Sequence, residues 1–175
     1  MKKKQKKIKK KANEAFKKTL PGLQTKREDI AKNLEELKSK KIEAEGAFNV
    51  AKQNKNDADE IVRSQREELN DIRTKNKNNF KTEYAIKFPG ASLTGDVYLK
   101  AEEKHINEIE TYNPVVRNKI LDLEISKKEA NKYKEKFEEK SKNKNYYLVQ
   151  IKNTKKDLAS LDEQIEKFIV NTNTV

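Results

Sequence analysis

The stretch that decides the fold is residues 30–76, IAKNLEELKSKKIEAEGAFNVAKQNKNDADEIVRSQREELNDIRTKN. Steps of four and three residues select Ile30, Leu34, Leu37, Lys41, Ala44, Phe48, Ala51, Lys55, Ala58, Val62, Gln65, Leu69, Ile72 and Asn76. Ten of these fourteen positions are apolar, in a tract where most residues are polar. A seam of this period sustained over more than six heptads predicts a long helix with a coiled-coil stripe. At 1.5 Å per residue it would extend for about 70 Å.

A second tract repeats the pattern. Val116, Ile120, Leu123, Lys127, Ala130, Lys134, Phe137, Ser141, Lys144, Leu148, Ile151, Lys155, Leu158, Asp162, Ile165 and Ile169 form a seam with ten apolar positions of sixteen. A flanking row of Tyr133, Tyr147, Leu161 and Phe168 widens its stripe. Pro114 suits the first turn of this helix, with Asn113 as its N-cap. Two matched seams separated by a short insert predict an all-α fold, a long antiparallel coiled-coil hairpin with a small head insertion and a basic N-terminal helix or tail. The register with most apolar-on-apolar pairs sets Ile30 against Ile169, Leu34 against Ile165, Phe48 against Ile151, Val62 against Phe137 and Leu69 against Ala130. It also brings Lys55 to Lys144, a like-charge contact that counts against it.

The divisions expected are a basic tail over 1–22, a first coiled-coil helix over 23–78, a head over 79–113, a second coiled-coil helix over 114–170 and a C-terminal tail over 171–175. Leu20-Pro21-Gly22 marks the first boundary. The head holds Phe80, Tyr84, Phe88, Tyr98 and Tyr112, five of the twelve aromatic residues. Pro89-Gly90 and Gly95-Asp96 are turn signals there. The alternation of Tyr84, Ile86 and Phe88 is compatible with a β-hairpin, and a helix–loop–helix tip fits as well.

Composition supports a long, thin molecule. With 33% hydrophobic and 40% charged residues, the chain has too little apolar material for a thick core of 175 residues. There is no cysteine, hence no disulfide and no zinc–thiolate site. No run reaches the roughly 18 apolar residues of a membrane span, and the N-terminus has no apolar signal core. A soluble protein of the cytoplasm or of a virion is the expectation. His105, the single histidine, reads as a lone exposed helical residue. The glycines fit no phosphate loop, and the carboxylates alternate with lysines as solvated pairs. No enzymatic activity, cofactor or metal is expected.

Charge is unevenly placed. The formal net charge is +12, and residues 1–22 with ten Lys and one Glu supply +9 of it. Eighteen Asn and a 36-to-5 excess of Lys over Arg indicate an AT-rich coding bias. Bias alone would scatter lysines, yet Lys2, Lys3, Lys4, Lys6, Lys7, Lys9, Lys10, Lys11, Lys17 and Lys18 crowd into the first eighteen positions. These ten are the candidate polyanion-binding residues. Lysine is a point charge poorly suited to bidentate reading of base edges, so contacts to nucleic acid would fall on phosphates without sequence preference. A second basic zone, Ser126–Lys156 with eleven Lys against four Glu, reads as a solvated helix face. The head aromatics read as a small buried cluster.

The function these features favour is a non-enzymatic structural or accessory protein of a nucleic-acid-containing assembly, such as a virion, ribonucleoprotein or nucleoid complex. Protein partners, or further copies of the chain, would dock along the coiled coil. The alternatives are a membrane-surface protein lying on a basic amphipathic helix (Ile8, Ala12, Phe16 and Leu20 recur every four residues) and a chaperone-like or adaptor hairpin.

Overall fold

The structure, a computed structural model, describes residues 19–173, with side chains to Val170. It is all-helical. The described residues form three helices, α1 (Leu20–Lys87), α2 (Asp96–Tyr112) and α3 (Pro114–Asn173), with no strand among them. The chain divides into two compact units, one of residues up to Asn49 with those from Glu139 on, the other Val50–Glu138. In each, α1 packs antiparallel on α3, consistent with a helical hairpin.

Start and stop signals explain the boundaries. Thr19 caps α1: its Oγ1 accepts from the Gly22 N–H at 3.3 Å, and its carbonyl accepts from the Leu23 N–H at 2.9 Å. Pro21 lies in the first turn, where its missing N–H costs nothing. Leu20-Pro21-Gly22 therefore opens the helix. The helix then continues to Lys87, nine residues past the boundary expected at 78. Residues 79–87 contain no Gly or Pro, and Phe80, Tyr84 and Phe88 sit at i, i+4 spacing on one face. Their ring centroids are 5.7 Å and 4.7 Å apart. The period of four, not the alternation of Tyr84, Ile86 and Phe88, is the one realised, so the head is a helix–loop–helix tip.

Pro89 disfavours helical geometry at Phe88 and ends α1. Gly90 has φ 81°, and the Ala91 N–H bonds the Phe88 carbonyl at 3.1 Å. Proline then glycine at positive φ, closed by that bond, is a type II turn. Asn113 both closes α2 and caps α3. Its N–H donates to the Ile109 carbonyl at 2.9 Å, while its Oδ1 accepts from the N–H groups of Val115 and Val116 at 3.0 and 3.2 Å. Asn113 and Pro114 thus have the roles expected of them.

In the unit Val50–Glu138, every α1 seam position from Ala51 to Asn76 is buried or half-buried. Leu69, Val116 and Leu123 form the core cluster, with Val62, Ile72, Ile109 and Ile120 against it. Glu68 pairs with Lys119 across the helices, and Arg73 with Glu110 of α2. Helix α2 runs antiparallel along the end of α1. In the other unit, Ile30, Leu34, Leu37, Lys41, Ala44 and Phe48 of α1 are likewise withdrawn from solvent. Arg27 Nε donates to Asp162 at 2.5 Å, and the Lys144 ammonium lies 4.4 Å from the Phe48 ring centroid.

Two expectations for α3 are corrected. The first is its inward face. Within Val50–Glu138 the withdrawn residues include Val116, Lys119, Leu123, Ser126, Ala130, Tyr133 and Phe137. Within the other unit they include Lys140, Lys144, Tyr147, Ile151, Thr154, Leu158, Leu161, Ile165 and Phe168. The row of Tyr133, Tyr147, Leu161 and Phe168 is thus an inner row. Lys127, Lys134, Leu148, Lys155 and Ile169, placed on the seam by the sequence, are exposed. This rotation buries two tyrosines, a leucine and a phenylalanine where three lysines would have lost hydration.

The second is the register. Phe48 lies against Lys144 and Leu69 clusters with Leu123, each partner one heptad from the one expected, Ile151 and Ala130. The expected offset would have set Val116 beside Glu83, a stretch of α1 that α2 already covers. Phe80 there contacts Tyr98 and His105, and Tyr84 contacts Tyr98. A single residue, Asn113, separates α2 from α3, so Val116 joins the Leu69 cluster and does not reach Glu83.

Candidate functional site

The ten lysines Lys2, Lys3, Lys4, Lys6, Lys7, Lys9, Lys10, Lys11, Lys17 and Lys18 lie outside the described residues. Two sites flagged by composition do fall within them, the aromatic head and the basic stretch of α3.

In the head, the i, i+4 ladder of α1 meets Tyr98 and His105 of α2. Phe80 packs 5.9 Å from Tyr98 and stacks on His105 at 4.7 Å with planes 25° apart, and Tyr84 meets Tyr98 edge-on at 5.1 Å. His105 is therefore half-buried against a ring and not the exposed residue expected. Tyr98 is 3% exposed, and its hydroxyl donates to Glu102 at 2.7 Å. Burial pushes the Tyr98 phenol up to about 12, and the hydrogen bond to the Glu102 carboxylate adds to the rise. Lys77 stands 3.9 Å from the same carboxylate. The structure brings Phe80, Tyr84, Phe88 and Tyr98 together, but the cluster expected to be buried is only partly so: Tyr98 is enclosed, Phe80 and Tyr84 are half-buried and Phe88 is exposed. Tyr112 is separate, 78% exposed at the far end of α2.

A shallow groove runs over the outer side of this cluster, lined by Phe80, Tyr84, Phe88, His105, Lys87 and Lys104 together with Glu83 and Glu108. Its two ammonium groups are balanced by two carboxylates, so it offers no net attraction for an ion. The rings satisfy one another. The arrangement closes the tip.

In the basic stretch, Lys127, Lys128, Lys132, Lys134, Lys136, Lys142, Lys152, Lys155 and Lys156 are exposed, and Lys140 and Lys144 are half-buried. Within the unit that contains them, Lys140 bonds Glu139 at 2.9 Å and Lys144 covers Phe48. Lys136 stands 5.7 Å from the Tyr133 ring centroid. Among the described residues no group of three His, Asp or Glu is placed to hold a metal ion, and no helix is long and apolar enough to cross a membrane. No protein-family model, no curated protein and no solved structure matches the chain.

Proposed function

We propose that this chain is a non-enzymatic structural or accessory protein of a nucleic-acid-containing assembly, with α1 and α3 wound as an antiparallel coiled coil and the N-terminal lysines neutralising phosphates. The observation that carries the partner is the crowding of ten lysines into the first eighteen residues, against one glutamate. Condensed counterions released from a nucleic acid drive such binding, and it needs no base contacts. The heptad spacing of withdrawn residues on α1 and α3 supports the coiled coil. A scaffold of this kind presents length and a docking surface for protein partners or further copies.

Salt titration tests it. Eight phosphates engaged by the tail give a slope near −7 in log K against log salt on duplex DNA, and about a ten-thousandfold loss of affinity from 50 to 200 mM. The double variant Ile8→Ser with Phe16→Ser removes what a membrane helix must insert while keeping every lysine. It should retain duplex or RNA affinity in a gel-shift titration. A wild type that binds anionic liposomes but no nucleic acid, with liposome binding lost in the double variant, would favour the membrane-surface reading instead.

A further inference from the structure

We infer that Lys140–Lys156 of α3 is a second phosphate-binding surface, a face that docks on a nucleic-acid backbone. The segment reads KSKNKNYYLVQIKNTKK, seventeen residues with six lysines and no acid. Its neighbour in the same unit is built differently. Residues 26–45 of α1 hold six basic and six acidic side chains, and pairs form there, Lys38 with Glu35 at 2.6 Å and Lys41 with Glu45 at 3.0 Å. Coding bias enriches lysine in both helices, yet carboxylates are missing from only one of the two segments.

The packing sets which lysines are available. Lys140, Lys144, Tyr147, Ile151 and Thr154 take the inward rows, so Lys142, Asn145, Val149, Lys152 and Lys156 form the outward ridge, with Lys155 beside it. Lys142, Lys152, Lys155 and Lys156 are exposed, and among the described residues none has a carboxylate within 4.0 Å. Lys152 stands three and four residues from Lys155 and Lys156, so like charges repel along one face. A free helix relieves that repulsion with a glutamate, and a bound polyanion relieves it equally. The ridge from Lys142 to Lys156 covers about 21 Å, and its neutral polar residues, Asn143, Asn145 and Asn153, are further donors to phosphate oxygens.

A lipid surface fits less well. Insertion requires a continuous apolar face, and the exposed apolar residues here are Tyr146, Leu148 and Val149, bracketed by lysines. The other apolar residues of the segment, Tyr147 and Ile151, are turned toward α1. The inference shares with the tail reading only the class of partner.

The test uses the full chain and a labelled 20-base-pair duplex, with anisotropy followed from 50 to 200 mM salt. The variant K142Q/K152Q/K155Q/K156Q should keep its helical circular dichroism and lower the salt slope by about 3 to 4, near 0.9 for each phosphate no longer neutralised. A second full-length variant, K2Q/K3Q/K4Q/K6Q/K7Q, separates this surface from the tail. If it binds as the wild type does while the α3 variant is weakened, the tail reading fails and this inference stands. Unchanged slope and affinity in the α3 variant overturn the inference, as does a wild type that does not bind the duplex. Weakened binding to phosphatidylserine vesicles by the α3 variant, with duplex binding intact, overturns it in favour of lipid.

Discussion

The unit Val50–Glu138 and the unit joining residues up to Asn49 with those from Glu139 on use the same two helices but hold them by different means. In the first, α2 covers the end of α1 and sets Ile109 against the cluster of Leu69, Val116 and Leu123. Ion pairs link helix to helix in both, Glu68 with Lys119 and Arg73 with Glu110 here, Arg27 with Asp162 in the other. Among the described residues the second is built from two helices, α1 and α3. Its buried α1 residues are mainly small or isolated, with Leu34 and Ala44 at 7% and 4% exposed, and its deepest side chain is Leu161 at 2%. The Lys144 ammonium stands over the Phe48 ring there, a cation–π contact. A third helix permits side chains to be enclosed on several sides, whereas a two-helix seam leaves its larger residues half in water. In the second unit the Lys140–Lys156 stretch of α3 carries no carboxylate.

The comparison breaks most sharply at enclosed leucines. Leu69→Ala should cost about 3–4 kcal/mol, because neighbours from two other helices cannot all collapse into the space. Leu161→Ala should cost less, about 2–3 kcal/mol, since a two-helix seam relaxes more readily. Urea melts followed by circular dichroism measure both. A larger loss for Leu161→Ala would reverse the ranking of the units. Phe48→Ala, half-buried, should fall below both at about 1–2 kcal/mol.

Smaller effects sharpen the picture of the head. Tyr98→Phe removes the hydroxyl bonded to Glu102 and should cost about 1 kcal/mol near neutral pH. The raised phenol means the folded state holds its proton more tightly than the unfolded chain. That stability is complete below about pH 10, the unfolded value, and is lost as pH rises toward about 12. Absorbance titration should show a late-ionising tyrosine in the wild type that is lost in Tyr98→Phe. At the low end of the scale, Gln65 sits on the seam with its buried Oε1 unbonded. Gln65→Leu should therefore raise stability by about 1 kcal/mol, measured as a higher melting temperature.

The α1 seam was fully legible: all fourteen positions picked by spacing are withdrawn from solvent. The α3 seam was legible in one row and misread in the other. Its second inner row includes Lys119, Ser126, Lys140 and Thr154, whose polarity hid it, while Ile120, Leu148 and Ile169 drew attention to a row that is largely exposed. The flanking aromatics were the signal for the true row. Register was beyond pair counting, because it depends on how much of α1 the head covers. That coverage follows from Phe80, Tyr84 and Phe88 reading as a helical ladder. The head cluster was anticipated, but His105 was not, since one histidine in a charged helix carries no spacing signal. The basic stretch of α3 was visible as composition, and only the packing separates its covered lysines from its free ones.

The antiparallel pairing and its register are tested most directly by crosslinking, which the absence of native cysteine makes clean. With Phe48→Cys and Lys144→Cys in one chain, mild oxidation at low protein concentration should give a fast-migrating monomer on a non-reducing gel. The pair Phe48→Cys with Ile151→Cys should give far less. A prevailing disulfide from the second pair would contradict the register, and disulfides found only between chains would contradict the packing of α1 on α3 within one molecule.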